Sequence, residues 1–245
     1  MKLIEKLISF AKDYDYEVKN VTVGLHWTCV LSKYCGIAMT YSQGMSELGV
    51  RGAGELENRT VGELAELLRS WNLIEASIGL ASINSVISAE GEEGNVLDLA
   101  YSVSKGKRVV MIGRFPAFEK LKEVAKEVIV LELNPFLLDP QQNIILSTAS
   151  EEVLPEADVV IITSSTIINK SIDRILELSK NAYNILIGPS TPMLDDLFDE
   201  GIDVLAGVKV INPHGVEKKI RQAVGMITPK KMGEDLKFII KENRS

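Results

Sequence analysis

The chain has 245 residues, 46% of them hydrophobic and 25% charged, with a formal net charge of −7. This is the composition of an ordinary globular protein, long enough for one large domain or two small ones. The negative charge argues against a general nucleic-acid or anionic-membrane binder, and no apolar run approaches the ~18 residues of a membrane span.

Residues 3–12 place Leu3, Leu7 and Phe10 on one helical face, with Ile4, Ile8 and Ala11 beside them. This N-terminus reads as an amphipathic helix and not as a signal peptide. With only two cysteines, Cys29 and Cys35, a reducing cytoplasm is the expected location. Residues 21–42 then switch to strand character and predict an antiparallel hairpin turning near Lys33, with bulges at Gly24 and Gly36. From Gln43 to Gly54 the chain reads as a long glycine-rich loop, a kind of segment that is often functional.

Thr60-Val61-Gly62-Glu63 has the form of a capping box, opening a helix with Val61, Leu64, Leu68 and Trp71 on one stripe. Asn72 with Glu75 predicts a second helix starting in the same way. Its small residues (Ala76, Ser77, Gly79, Ala81, Ser82, Ser85) suit close packing inside the chain or against a second copy, which leaves a homo-oligomer open. The order helix, strands, helix pair defines an α+β unit, and Glu90–Asn95 reads as a linker. The expected division is residues 1–92 and residues 93–245.

After the linker, strands and helices alternate, which predicts a parallel sheet with helices on both faces. Val96–Ser104 is a predicted helix, Arg108–Ile112 a buried strand, and Pro116 the first residue of the next helix. Val128–Leu133 is the second strand, and Asn134–Thr148 reads as loop. The run Asp158–Ile162 and the run Asn184–Ile187 are further strands. Helices are expected over Ser171–Ser179, Pro192–Glu200 (closed by Gly201), Glu217–Met226 and Glu234–Lys241, with a last strand within Asp203–Val210.

Ligands of open parallel sheets sit outside the carboxyl ends of the strands, where the strand order reverses. Four segments end there. The first strand meets Gly113 alone, without the three glycines of a dinucleotide fingerprint. Glu132 ends the second strand at the spacing of a ribose-binding carboxylate, although a solvated strand-end acid reads the same. The third segment is the hydroxyl run Thr163, Ser164, Ser165 and Thr166, with Asn169. Its N–H groups and hydroxyls can converge on a polar or anionic ligand, while Thr166 or Asn169 can also cap the next helix. In the fourth, Thr191 and Pro192 read as N-cap and N1, leaving Gly188 and Ser190 for the crevice.

No metal cage is legible. His26 and His214 are far apart in sequence, and Cys29 and Cys35 are spaced outside the usual zinc pattern. Neither a Ser-His-Asp nor a Cys-His set can be read, so catalytic residues are unassigned.

The motifs WTCV, SIGLASINS, VVMIGRFP, EADVVIITSSTIINKSID and GPSTPML together resemble a family of prokaryotic heavy-metal chelation proteins, the domain of unknown function 364. The resemblance covers nearly the whole chain. It implies an α/β fold with an N-terminal α+β domain like that of enolase, followed by a Rossmann-like parallel-sheet domain, and a ligand site in the cleft between them. Carried over by position, the site takes Gly113, Glu132, Thr163–Thr166, Asn169, Gly188, Ser190 and Thr191. The loop around Gly44 and Met45 is the expected contribution of the N-terminal side. Enolase's catalytic barrel has no counterpart, so its chemistry is not implied. The reading is a small-molecule or metal-chelate binder with no named cofactor. The alternative is an enzyme using a nucleotide-type cofactor such as S-adenosylmethionine, with Glu132 on the ribose.

Overall fold

The computed structural model describes residues 2–14, 16–41 and 49–243. Helix α1 (Lys2–Lys12) buries Leu3, Ile4, Leu7, Ile8 and Ala11, the stripe that a 3.6-residue period selects. It is followed by an antiparallel sheet of β1 (Asn20–Val23), β2 (Trp27–Leu31) and β3 (Cys35–Met39). The expected two-stranded hairpin is therefore three strands. The chain reverses after Val23, where the Gly24 N–H donates to the Trp27 carbonyl at 2.9 Å.

Helix α2 (Val61–Ala65) opens on the predicted capping box, with Thr60 and Glu63 each bonding the other's backbone N–H. Trp71, expected on its buried stripe, is 74% exposed. A 3-10 turn over Glu66–Arg69 changes the rotation per residue and breaks the stripe before it arrives. Asn72 caps α3 (Leu73–Asn84) by accepting from the Ile74 N–H at 3.1 Å. Glu75 does not complete a second box, because the Ser70 hydroxyl takes the Asn72 N–H. Glu75 turns instead to Arg51, accepting from its backbone N–H at 2.9 Å and from its guanidinium at 2.9–3.0 Å. Gly36 makes no bulge, since it stays in register opposite Val30. Its bare Cα lets β3 lie directly on α3: a Cβ there would stand 2.1 Å from the Ala81 carbonyl oxygen and 2.3 Å from the Ser85 nitrogen.

The large sheet takes β4 (Glu92–Glu93), β5 (Arg108–Ile112), β6 (Glu127–Glu132), β7 (Ile144–Leu146), β8 (Val159–Thr163), β9 (Tyr183–Ile187), β10 (Val204–Val210) and β11 (Leu236–Glu242). Between them run α4 (Val96–Val103), α5 (Phe118–Val124), α6 (Ser150–Val153), α7 (Ser165–Ile168), α8 (Ile172–Leu178), α9 (Pro213–Arg221) and α10 (Pro229–Met232). The strand order is β4-β11-β10-β9-β8-β5-β6-β7. Strands β5 to β10 are parallel, and β11 returns antiparallel to β10. Counting from β5, the parallel strands lie third-second-first-fourth-fifth-sixth, so the order reverses between β5 and β8.

Several predicted elements are corrected. The segment read as linker contains β4, and the loop after β6 contains β7. The helix expected over Glu234–Lys241 is β11, because the open edge of β10 needs a hydrogen-bonding partner and pairs with it along seven residues. The helix expected from Pro192 is a 3-10 turn over Asp195–Glu200, led by Leu194 and closed by Gly201 at φ +88°. Thr191 is therefore not its N-cap. Pro116 precedes α5 by two residues and is not its first.

Alternate residues of the central strands face opposite ways. Val110, Ile112, Val160, Ile162 and Leu186 join α1, α2 and α3 in one apolar cluster. Val109, Met111, Val128, Ile161 and Ile185 pack with α4 and α5 on the other face. A third cluster joins Cys29 and Ile37 to Val216 and Ile220 of α9. The N-terminal helices and small sheet thus cover one face of the large sheet. Among the described residues no helix is long and apolar enough to cross a membrane.

Candidate functional site

A cavity of about 260 Å³ opens where β5, β6 and β8 end. These are the strands on either side of the order reversal, where ligands of such sheets bind. Its walls include Gly113 at the end of β5, Glu132 at the end of β6, and Thr163, Ser165, Thr166 and Asn169 after β8. Six of the residues singled out in the sequence are thus brought together.

The hydroxyls are partly committed to local structure. Thr163 Oγ1 and Ser165 Oγ share a hydrogen bond at 3.0 Å, and the Thr166 hydroxyl donates to the Thr163 carbonyl at 2.7 Å. This back-bond places Thr166 inside α7 and not at a cap. Asn169 Oδ1 accepts from the Ser171 N–H at 3.1 Å and the Ser171 hydroxyl at 2.7 Å, holding the turn between α7 and α8. The Glu132 carboxylate gathers three backbone N–H groups: Leu133 at 2.9 Å, Asn134 at 3.0 Å and Arg114 at 3.4 Å. It therefore fixes the turns after β5 and β6 while one edge faces the cavity.

The other candidates sit elsewhere. Ser164 is buried beside Gly188, and its N–H donates to the Ile187 carbonyl at 2.9 Å. Gly188 has φ +135°, and a Cβ there would lie 2.7 Å from Ser164 Oγ. Glycine at this position is thus explained by strain and by Ser164. Ser190 is a joint: its hydroxyl accepts from the Met39 N–H at 2.8 Å, and its carbonyl accepts from Asn84 Nδ2 at 3.0 Å. Thr191 lines a separate cavity of about 110 Å³ with Asn84 and Cys35. There Thr191 Oγ1 and Asn84 Oδ1 are buried with no partner among the described residues. Met45, the residue expected from the N-terminal loop, lies outside the described residues, as does Gly44.

Other residues of the cavity were not singled out in the sequence. Met39 and Tyr41 bring the N-terminal half to it, and Ser147, Ser150, Ser171 and Arg174 also line it. The signal for Met39 and Tyr41 was the end of the strand immediately before the glycine-rich loop. Ser171, the N-cap of α8, and Arg174 in its first turn are three apart, hence on one face. Arg174 brings no unpaired charge, because Glu151 takes it at two nitrogens and Glu177 at a third. These hydrogen bonds hold its pKa above the usual arginine range.

Fold and cavity define a two-sheet α/β protein with a crevice at the strand ends. The family is given by comparison: residues 95–238 match the DUF364 model and residues 4–87 the DUF4213 model, both described as "Putative heavy-metal chelation". The chain belongs to this family. An uncharacterized protein of Methanocaldococcus jannaschii (MJ0500) is 30% identical over 215 residues, 82% of each chain. Two DUF364-family proteins of unknown function have similar solved structures. That from Pyrococcus horikoshii is 25% identical with a TM-score of 0.81, covering 99% of this chain and 98% of its own. That from Desulfitobacterium hafniense is 24% identical with a TM-score of 0.81, covering 99% and 97%.

Proposed function

We propose that the chain binds a small organic metal chelate in the cavity at the ends of β5, β6 and β8, between the N-terminal helices and small sheet and the large sheet. The lining carries this reading. Apolar walls from Met39, Ile112, Leu131, Ile175 and Leu178 surround hydroxyls of Thr163, Ser165 and Ser171. Such a mixture suits an organic ligand, whose carbon frame needs apolar walls and whose oxygens need a few placed polar groups. The family description supplies the metal, and the donors at hand are oxygens that would meet the organic shell. The protein would work in a reducing cytoplasm.

A nucleotide-type cofactor such as S-adenosylmethionine is the second reading, favoured by Glu132 at the end of the strand beside β5. The backbone N–H groups of Leu133 and Asn134 on one oxygen, and of Arg114 at 3.4 Å on the other, weigh against it, since they take up part of the accepting capacity that a ribose would need.

Thermal-shift titrations separate the two. Ferric hydroxamate, catecholate and carboxylate chelates are expected to raise the melting temperature, and Thr163→Val to reduce that shift. A shift with S-adenosylmethionine or nucleotides and none with any chelate would overturn the first reading.

A further inference from the structure

A further cavity, of about 290 Å³, lies between the small sheet and α9. Cys29 and Cys35 line it from the strands, and His214 and Glu217 from α9. Both cysteines are free thiols. Cys29 stands opposite Ile37 and Cys35 opposite Leu31. The two cysteines are therefore diagonal neighbours on one face of the β2–β3 pair, because side chains two apart on a strand share a face.

We propose that Cys29 and Cys35 form a two-thiolate site for a soft monovalent cation such as Cu⁺ or Ag⁺, with His214 at its mouth. The site uses none of the residues of the chelate cavity and does not rest on that reading.

The register selects a cation over a disulfide. Diagonal cross-strand neighbours stand about 7–8 Å apart at Cα, while a disulfide wants Cα atoms within about 6.8 Å and Cβ atoms near 3.8 Å. A metal ion inserted between the sulfurs lengthens the bridge by two bonds of about 2.3 Å each, which suits the wider spacing. Thiolate is the donor that soft cations select. Among the described residues no group of three or more His, Cys, Asp and Glu is set to hold a metal ion. A cation content with two near-linear thiolates fits such a site, and one demanding four tetrahedral donors does not.

His214 and Glu217 sit on the first turns of α9, where Asn212 caps the helix by accepting from the Gly215 N–H at 3.2 Å. His214 is exposed, so its imidazole can meet an ion on its way to the sulfurs. Glu217 is engaged by the Thr22 hydroxyl at 3.3 Å and by Arg221 at 3.4 Å, which holds it to the wall. On binding, two S–H bonds break and two sulfur–metal bonds form. Both protons go to solvent, and no electrons are transferred.

The test is titration of the reduced full-length chain with Ag⁺ under anaerobic conditions, read by thiolate-to-metal ultraviolet absorption and by proton release. One ion per chain is expected. Cys29→Ser and Cys35→Ser should each weaken binding by roughly a hundredfold, and His214→Ala by at most about tenfold. Melting curves without metal check folding. If Cys29→Ser melts early, Cys35→Ser decides, because Cys35 is only half-buried. Binding retained within about threefold in the folded cysteine variant, or no saturable binding in the wild type, would overturn the proposal. So would ready closure of a Cys29–Cys35 disulfide by a small disulfide oxidant, which would refute the spacing.

Discussion

Replacing Ser190 by alanine separates a joint from a ligand contact. The Ser190 hydroxyl accepts from the backbone N–H of Met39 at 2.8 Å, across 151 residues of sequence. Ser190 is buried, so Ser190→Ala leaves that N–H without an acceptor. A buried unsatisfied donor costs about 1–3 kcal/mol. For a chain of this size each kcal/mol lowers the melting temperature by about 2–4 °C, so a fall of roughly 2–12 °C follows. The loss is local, and amide hydrogen exchange reads it directly. If the joint opens as one unit, protection at Met39 should fall by roughly tenfold to a hundredfold, while residues of β5 and β6 change little. Ser190 does not line the chelate cavity but holds Met39, which does, so any loss of ligand affinity there should accompany the loss of stability. Unchanged Met39 protection with unchanged stability would refute the reasoning. Lost ligand affinity with unchanged stability would return Ser190 to the binding site.

Gly36→Ala should destabilise strongly, because the new Cβ meets α3 backbone at 2.1–2.6 Å. Overpacking costs about 1–3 kcal/mol or more, so the melting temperature should fall by at least several degrees, with Gly225→Ala, whose Cβ would meet only Lys231 Nζ at 3.7 Å, as the comparison. Burial alone would raise the Glu75 pKa, but hydrogen bonds from Arg51 and Ser70 outweigh it and hold the carboxyl below its ordinary 4.5. A depressed carboxyl contributes stability above its unfolded pKa and loses it as pH falls through the folded value. Glu75→Gln should therefore melt earlier at pH 7, and the difference should close below about pH 4.5. Lys170 is pushed by burial from 10.5 to about 8, at a backbone φ of +68° and with its ammonium 5.4 Å from the Trp71 ring centroid. The unfolded chain binds the extra proton between those values, so stability should rise with pH from about 8 toward 10.5, and Lys170→Met should remove that rise. Amine-directed labelling near pH 8 that leaves Lys170 no faster than exposed lysines would contradict the shift.

Local pattern carried much of the fold. The stripe of α1, the capping box at Thr60 and the αL cap at Gly201 each depend on residues within a turn or two of one another, and each was legible. So were the strands at Arg108, Val159 and Tyr183, and the hydroxyls that end β8. The misses have physical reasons too. The segment Leu236–Glu242 carries apolar residues at spacings that fit either helix or strand, and the bare edge of β10 decided it. Glu75 fits a capping box by spacing, but Ser70 took the N–H it would have bonded.

Two hydroxyl-bearing turns after strands of a parallel sheet were legible along the chain, because strand runs and turn residues are set by near neighbours. Tertiary structure alone decided that those turns do different work. The turn after β8 lines a cavity with Gly113 and Glu132, because β5 and β8 adjoin at the reversal of strand order. The turn after β9 reaches the small sheet, where Ser190 holds Met39 and Gly188 makes room for Ser164. Pairings of strands and joints between distant segments follow from how whole layers pack, and spacing along the chain does not encode them.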